Sequence, residues 1–142
     1  MALEKLKINK KTETKKDNFV PFEKENVLHP MKLYLTIVTF GQADSIIKIF
    51  ESVGANCNFI TSGQGTGRTF MPALVTLAES KKQVVWSFVR EEKSEEVRRL
   101  LTERFNTSKA ARGVSFSVKL TSVAGVSVYK FLSNTRKVRK VK

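Results

Sequence analysis

The hydrophobic positions in the first regular part of the chain change their period after one segment. The run 32–40, KLYLTIVTF, is rich in β-branched and aromatic residues and predicts a buried strand. From 42 to 53 the apolar residues follow a helical stripe instead, and Gly54 is a suitable stop for that helix. The stripe consists of Ile46, Ile47, Phe50 and Val53.

A second set of strands and a helix follows. A short strand is predicted at 58–61, and the clearest strand of the chain at 83–89, QVVWSFV. Ser94 is a good N-cap for a second helix, which leads to a strictly alternating strand at 114–120. The apolar stripe of that helix is Val97, Leu100, Leu101 and Phe105. The alternating residues 126–129, VSVY, predict one further strand.

The element order β-α-β-β-α-β is that of the ferredoxin-like split βαβ arrangement, an α+β fold. In this fold two helices cover one face of a four-stranded antiparallel sheet. The predicted first and third strands are apolar on both sides, so the face without helices also needs to be buried. We therefore expect an oligomer.

The net charge of +13 on 142 residues is concentrated at the two ends of the chain. Residues 1–30 carry seven Lys and five acids, and residues 135–142 carry five basic residues and no acid. The first thirty residues are too polar to offset the entropy of ordering, so we predict a disordered basic tail there. The predicted folded domain is 31–134, with Met31 as a candidate internal start, and 135–142 is a basic C-terminal tail.

The sequence favours a soluble protein without catalytic chemistry. No apolar run has the length of a signal peptide or a membrane span, and the single Cys57 builds no disulfide framework, which predicts a cytoplasmic location. The only histidine, His29, lies in the predicted tail, and no Ser-His-Asp set is available. A solvated helix start explains the acidic residues Glu91, Glu92, Glu95 and Glu96. We expect that the protein is not an enzyme.

A glycine-spaced turn is the strongest candidate for ligand binding. The run 61–68, TSGQGTGR, contains three glycines in five residues and ends in Arg68. Backbone N–H groups converge at such glycines without obstruction by Cβ atoms, and the arginine adds a permanent positive charge. This combination suits a phosphate group.

The chain from 31 to about 120 resembles the PII signal-transduction proteins, the nitrogen regulatory protein P-II superfamily. The resemblance depends on the element order, on the run 64–68, QGTGR, and on the turn 107–113, TSKAARG. The first run is similar to the glycine-x-glycine-arginine at the base of the family's T-loop. The second is similar to the phosphate-binding B-loop after the second helix. This resemblance implies a homotrimer with adenine nucleotides bound in the clefts between subunits.

The resemblance also implies roles for individual residues. Gly65 and Gly67 would allow close backbone approach to the ligand, while Arg68, Lys109 and Arg112 would neutralise phosphates. In the family's manner, Thr107 would donate its hydroxyl and Lys82 would approach from the partner strand. The complete implied nucleotide site is Gly65, Thr66, Gly67, Arg68, Lys82, Thr107, Ser108, Lys109, Arg112 and Gly113.

Some positions depart from the family pattern. The loop 69–81 is shorter than the usual T-loop, lacks its tyrosine and is apolar at 71–74, MPAL. The run 111–114, ARGV, stands where the family has glycine-aspartate-glycine-lysine. The resemblance therefore implies a divergent relative, whose ligand would be ATP, ADP, another adenine nucleotide or a different small anion. As in the family, loop 69–81 would contact a target protein, either a transporter or a metabolic enzyme.

An RRM-like nucleic-acid-binding module is the alternative, because RRM domains share the βαββαβ order and the chain is basic. The run 112–118, RGVSFSV, is similar to the RRM aromatic motif, but Val114 replaces the first stacking aromatic. The run also lies on the fourth strand, and we expect no paired aromatics on the open face. The basic tails could still bind nucleic acid or anionic lipid without sequence specificity.

Overall fold

The computed structural model describes residues 20–65 and 81–135, and its centre is a four-stranded antiparallel sheet. The strands lie in the order β2-β3-β1-β4, so β2 and β4 are the two edges. The elements are α1 Phe22–Glu25, β1 Met31–Thr39, α2 Ala43–Ser52, β2 Asn58–Gln64, β3 Lys81–Arg90, a 3-10 turn Glu91–Lys93, α3 Ser94–Asn106, β4 Gly113–Lys119 and α4 Val126–Leu132. The predicted ferredoxin-like order of strands and helices is confirmed.

Helices α2 and α3 cover one face of the sheet and form the main core with it. Phe50 and Ile46 of α2 are fully buried, and Val97 and Leu101 of α3 are buried with them. From the sheet, Tyr34, Val38, Val85 and Val89 contribute to the same cluster. Because side chains alternate along a strand, the neighbouring odd positions of β1 and even positions of β3 point to the opposite, open face.

Glycine ends α2 as expected, whereas the start of α3 differs from the prediction. Gly54 has φ +89°, and its N–H donates to the carbonyl of Glu51 at 3.0 Å. This left-handed conformation is readily available to glycine and closes the helix. Ser94 is the first residue inside α3 rather than its cap, because the 3-10 turn precedes the helix and places Lys93 at the cap position.

The prediction of a strand at 126–129 is wrong, because these residues form the first part of α4. Gly125 turns the chain with φ +94°, and the spacing of Tyr129 and Leu132 buries both residues on one side of the helix. They pack with Met31 at the end of the open face where β1 begins. The residues packed against this second cluster are Phe22, Cys57, Phe88, Leu120 and Val123.

The segment 20–30 is more structured than a disordered tail. It contains the short helix α1, and Phe22 meets the ring of Tyr129 edge to face, with centroids 5.8 Å apart. The N–H of Glu91 donates to the carbonyl of Pro30 at 2.8 Å. Residues 1–19 and 136–142, which include most of the two predicted tails, lie outside the described residues. Among the residues that are described, no helix is long and apolar enough to cross a membrane.

Candidate functional site

The glycine turn begins later than its sequence suggests. Residues 61–64 still belong to β2, where Gly63 pairs with Lys82 and Gln64 pairs with Lys81. Gly65 follows the last strand residue directly. The predicted ligand contacts Thr66, Gly67 and Arg68 lie outside the described residues, as does most of the loop 69–81.

Lys82 is positioned by β3 at the base of that loop. It faces the open side of the sheet, because it alternates with the core residues of β3, and only 4% of it is exposed. Burial lowers the pKa of the Lys82 ammonium group, since desolvation disfavours the charged form. Its neighbour across the ladder is Gly63, which carries no side chain.

The second predicted turn, 107–113, connects α3 to β4, and local hydrogen bonds hold it. The Ala111 N–H lies 3.2 Å from the Ser108 hydroxyl oxygen, which accepts a hydrogen bond from it, and Ala111 itself is buried. The Thr107 hydroxyl donates to the Glu103 carbonyl at 3.0 Å, so in this structure it is engaged within the helix end.

Two cations of this turn project into solvent. Lys109 and Arg112 are both exposed. Within the described residues neither of them forms an ion pair. Exposed cations that are not neutralised by a carboxylate attract anions, and Arg112 can bind two oxygens of one phosphate at once.

Gly113 has a packing role at the start of β4. A Cβ atom at this position would lie 2.7 Å from the Ile37 carbonyl oxygen and 2.9 Å from both Phe105 and Val38. Only glycine lets β4 approach β1 this closely beneath the end of α3. Steric contact is therefore a sufficient reason for this glycine, whether or not a ligand binds nearby.

The end of β2, which leads to the first predicted turn, and the start of β4, which follows the second, lie at the same end of the sheet but on opposite edges. The ladder pairs Ser62 with Gln83, Gln83 with Val38 and Val38 with Gly113, which puts these two strand ends on one row. Three strand spacings separate the edges, a distance of about 14 Å. One chain therefore does not bring the predicted contacts together, and a shared site needs the β2 edge of one chain beside the β4 edge of another.

The open face carries a row of three aromatic residues and one leucine, which the sequence analysis did not expect. Phe59 on β2, Trp86 on β3, Leu35 on β1 and Phe116 on β4 are direct neighbours across the sheet. Phe59 is 56% exposed and Phe116 is 48% exposed. The indole N–H of Trp86 donates to the Thr61 hydroxyl at 3.0 Å. The expectation of an open face without paired aromatics is therefore wrong, because the strand register was needed to align them.

The acidic residues near the start of α3 pair with cations, as expected for a solvated helix start. Glu91 lies 3.4 Å from Lys119 Nζ, Glu92 lies 3.1 Å from Arg90, and Glu96 lies 3.4 Å from Lys93. No group of three or more metal-ligating side chains occurs among the residues that the structure describes.

Comparisons with known proteins identify the fold. No protein-family model matches the chain, and no curated protein sequence matches it. Among solved structures, CutA from Synechococcus elongatus, complexed with a Bis-Tris molecule, matches with a TM-score of 0.55 and 18% identity over 74% of this chain and 92% of that one. CPII from Thiomonas intermedia, bound to ADP, AMP and acetate, matches with a TM-score of 0.52 and 15% identity over 73% of this chain and 97% of that one.

A Bacillus cereus protein related to NIF3 matches with a TM-score of 0.50 and 16% identity, over 68% of this chain but only 27% of that one. CPII is described as a nitrogen regulatory PII-like protein. The resemblance to PII-like proteins that the sequence indicates is thus confirmed for the fold: this chain has the fold shared by PII-like proteins and CutA.

Proposed function

We propose that the protein is a cytoplasmic, non-enzymatic regulator of the PII-like type. It assembles as a homotrimer, binds an adenine nucleotide or another small anion between subunits, and controls a target protein through loop 69–81. The observation that supports this proposal is that the end of β2 and the start of β4, which border the two proposed ligand-binding turns, lie on one row of the sheet at its opposite edges.

This placement suits a closed ring of identical subunits. In a ring each subunit presents its β2 edge to one neighbour and its β4 edge to the other, so every boundary receives one copy of each turn. Gly65 and the residues after it would come from one subunit. Ser108, Lys109 and Arg112 would come from the next. A single anionic ligand would then contact both chains.

The open face supports assembly of this kind. Leu35, Trp86 and Phe116 belong to an apolar row at the middle of the face, and helices α2 and α3 cover only the other side. Apolar surface of this extent is favourably removed from water by contact with other copies of the chain. Three sheets facing a common axis would bury all three rows.

The ligand is proposed from the charges at the boundary and from the likeness to CPII. The solved CPII structure contains ADP and AMP, which are polyanions of the size that two cationic turns could hold. In this chain the exposed Lys109 and Arg112 supply the positive charge on one side. Lys82 lies beside the base of the loop on the other side.

Regulation would follow from the position of the ligand at the base of loop 69–81. A ligand bound there stabilises the loop conformations that contact it and so changes the population available to a target protein. Transporters and metabolic enzymes are the proposed targets, by analogy with the PII family.

Calorimetric titration tests the ligand site. ADP, AMP, ATP and a cyclic dinucleotide are titrated into the wild type, into the Arg112→Ala and Lys109→Ala variants, and into Lys48→Ala, which removes an exposed lysine of α2 as a matched control. We expect one of the nucleotides to bind the wild type and Lys48→Ala equally and both other variants more weakly. If none of the four binds the wild type, or if Lys48→Ala weakens binding as much as Arg112→Ala, the nucleotide proposal fails.

A second candidate function, binding of single-stranded nucleic acid, is favoured by the aromatic row. Exposed aromatic side chains on an open sheet provide a stacking platform for bases, and a net charge of +13 attracts phosphates. Titration with a short oligouridylate, followed by the fluorescence of Trp86, separates the two candidates. Salt-sensitive quenching of the Trp86 fluorescence that is lost in Phe116→Ala would favour nucleic-acid binding. Absence of quenching in the wild type would favour the trimeric regulator.

A further inference from the structure

A cavity lies at the other end of the sheet from the two turns. It has a volume of about 600 Å³ and is bounded by the segment 20–30, the first residue of β1, and the segment 120–129. These two segments flank the βαββαβ unit in the sequence. The cavity is therefore built by the parts of the chain that the sheet and its two helices do not require.

Several contacts fix the walls of this cavity. The Tyr129 hydroxyl accepts a hydrogen bond from the His29 N–H at 2.6 Å, which ties the N-terminal segment to α4. Phe22 meets the ring of Tyr129, and Lys130 Nζ lies 5.2 Å from the centre of the Phe22 ring. On the β1 side the Leu120 N–H donates to the Met31 carbonyl at 3.0 Å. The cavity is consequently a formed feature of the fold.

The lining is mostly apolar. Phe22, Leu28, Met31 and Val123 provide apolar surface, and Glu23 is the one carboxylate among the described residues that line the cavity. Within the described residues Glu23 forms no ion pair. A mostly apolar lining with one carboxylate is complementary to a ring compound that carries a single cationic group.

We propose that this cavity binds a small aromatic amine, with the ring among the apolar residues and the ammonium group at Glu23. The volume lies within the range of about 300–1,000 Å³ that is typical of small-molecule sites. An aromatic ring also suits the neighbourhood of Phe22 and Tyr129, which themselves meet edge to face. This site is separate from the proposed nucleotide site, and its existence does not depend on it.

Three indole compounds with the same ring and different charges test the proposal in the full chain. Tryptamine is cationic, tryptophol is neutral and indoleacetate is anionic. The chain carries a net charge of +13, so unspecific attraction would favour indoleacetate. Calorimetry or ligand-observed NMR is expected to give the opposite order, with tryptamine tightest, because the local carboxylate selects the cation.

Two variants locate the binding. Glu23→Gln is expected to weaken the binding of tryptamine by about two- to fivefold, the range for a solvent-exposed ion pair, and to leave the affinity for tryptophol unchanged. Ser122→Trp places a large side chain on an exposed residue of the lining and is expected to remove measurable binding of both compounds. Ser52→Trp, at an exposed residue of α2 outside the lining, is the matched control and is expected to bind as the wild type does.

Each remaining outcome overturns the proposal. Absence of binding by all three compounds to the wild type shows that the cavity does not accept them. An unchanged preference for tryptamine in Glu23→Gln removes the role of the carboxylate. Unchanged binding in Ser122→Trp places the compounds elsewhere. If the molecular mass of that variant also differs from the wild type, a second copy of the chain covers this surface.

Discussion

The hydroxyl oxygen of Tyr129 accepts a hydrogen bond from the backbone N–H of His29 at 2.6 Å, across 100 residues of sequence. This bond joins the segment before β1 to the helix after β4. Both segments pack on the open face of the sheet at the end where Met31 is buried. The chain thus closes part of a face that α2 and α3 leave uncovered.

Removal of this hydroxyl tests how far the two flanking segments stabilise the fold. Tyr129→Phe keeps the ring and leaves the His29 N–H without its protein partner, so we expect the free energy of unfolding to fall by about 1 kcal/mol. Urea denaturation followed by circular dichroism measures the change. The only other tyrosine of the chain, Tyr34, provides the control.

Tyr34 lies in the main core, and no hydrogen bond of its hydroxyl occurs among the described residues. Tyr34→Phe should therefore change the stability by less than about 0.5 kcal/mol. Equal effects of the two substitutions would show that the Tyr129 hydrogen bond does not stabilise the folded state.

Much of the sheet and its two helices could be predicted from the sequence because their patterns are local. The stripe of Ile46 and Phe50 and the run of apolar residues in β3 each indicate their own structure. By contrast, the alternation of 126–129 is compatible with a strand, and the helical form is what buries Tyr129 and Leu132 against Met31, a contact between residues that are distant in the sequence.

The candidate site could be predicted only in part for a related reason. The sequence places Gly65 at the end of one strand and Gly113 at the start of another, but it does not give the order of strands in the sheet. That order puts Gly65 beside one edge strand and Gly113 on the other. The same holds for Phe59, Trp86 and Phe116, whose alignment depends on the register between three strand pairs.

Gly113 provides a second prediction, which separates packing from ligand binding. In Gly113→Ala the new Cβ atom would lie 2.7 Å from the Ile37 carbonyl oxygen, a backbone atom that cannot move away easily. We expect the free energy of unfolding to fall by about 1–3 kcal/mol, as in other overpacked sites. Thermal or urea denaturation without any ligand measures it.

Gly63→Ala is the matched control, because nothing lies within 4 Å of a Cβ atom built at that strand residue. Its stability should remain within about 0.5 kcal/mol of the wild type. A Gly113→Ala variant as stable as the wild type would contradict the steric explanation, and contact with the ligand would again be the proposed role of this glycine.

The proposed trimer predicts that glutamate substitutions at two adjacent residues of β4 affect assembly differently. Phe116 points to the open face and Ser117 to the side of the helices. Phe116→Glu places a charge in the proposed interface, where desolvation of the carboxylate opposes assembly, so we expect single chains. Ser117→Glu should leave the trimer intact. Light scattering after size exclusion gives both masses, and circular dichroism confirms that each variant is folded.

A wild type that is monomeric at all concentrations would contradict the trimer directly. A wild-type trimer that both variants preserve would show that the subunits meet through another surface. Either result would also weaken the proposed nucleotide site, because the two turns come together only across a boundary between chains.

The thiol of Cys57 provides a prediction about pH. Cys57 is partly buried beside the cluster of Met31, Tyr129 and Leu132, and burial raises the pKa of its thiol above the ordinary value. As pH rises, the unfolded chain therefore loses the thiol proton before the folded one, and this group lowers the stability of the fold progressively through that interval. The rate of alkylation by iodoacetamide, which follows the thiolate, should reach its midpoint at a higher pH in the folded protein than in urea. Leu132→Ala, which opens the cluster, should move the midpoint back toward that of the unfolded chain, whereas equal midpoints in the folded and unfolded wild type would contradict the effect of burial.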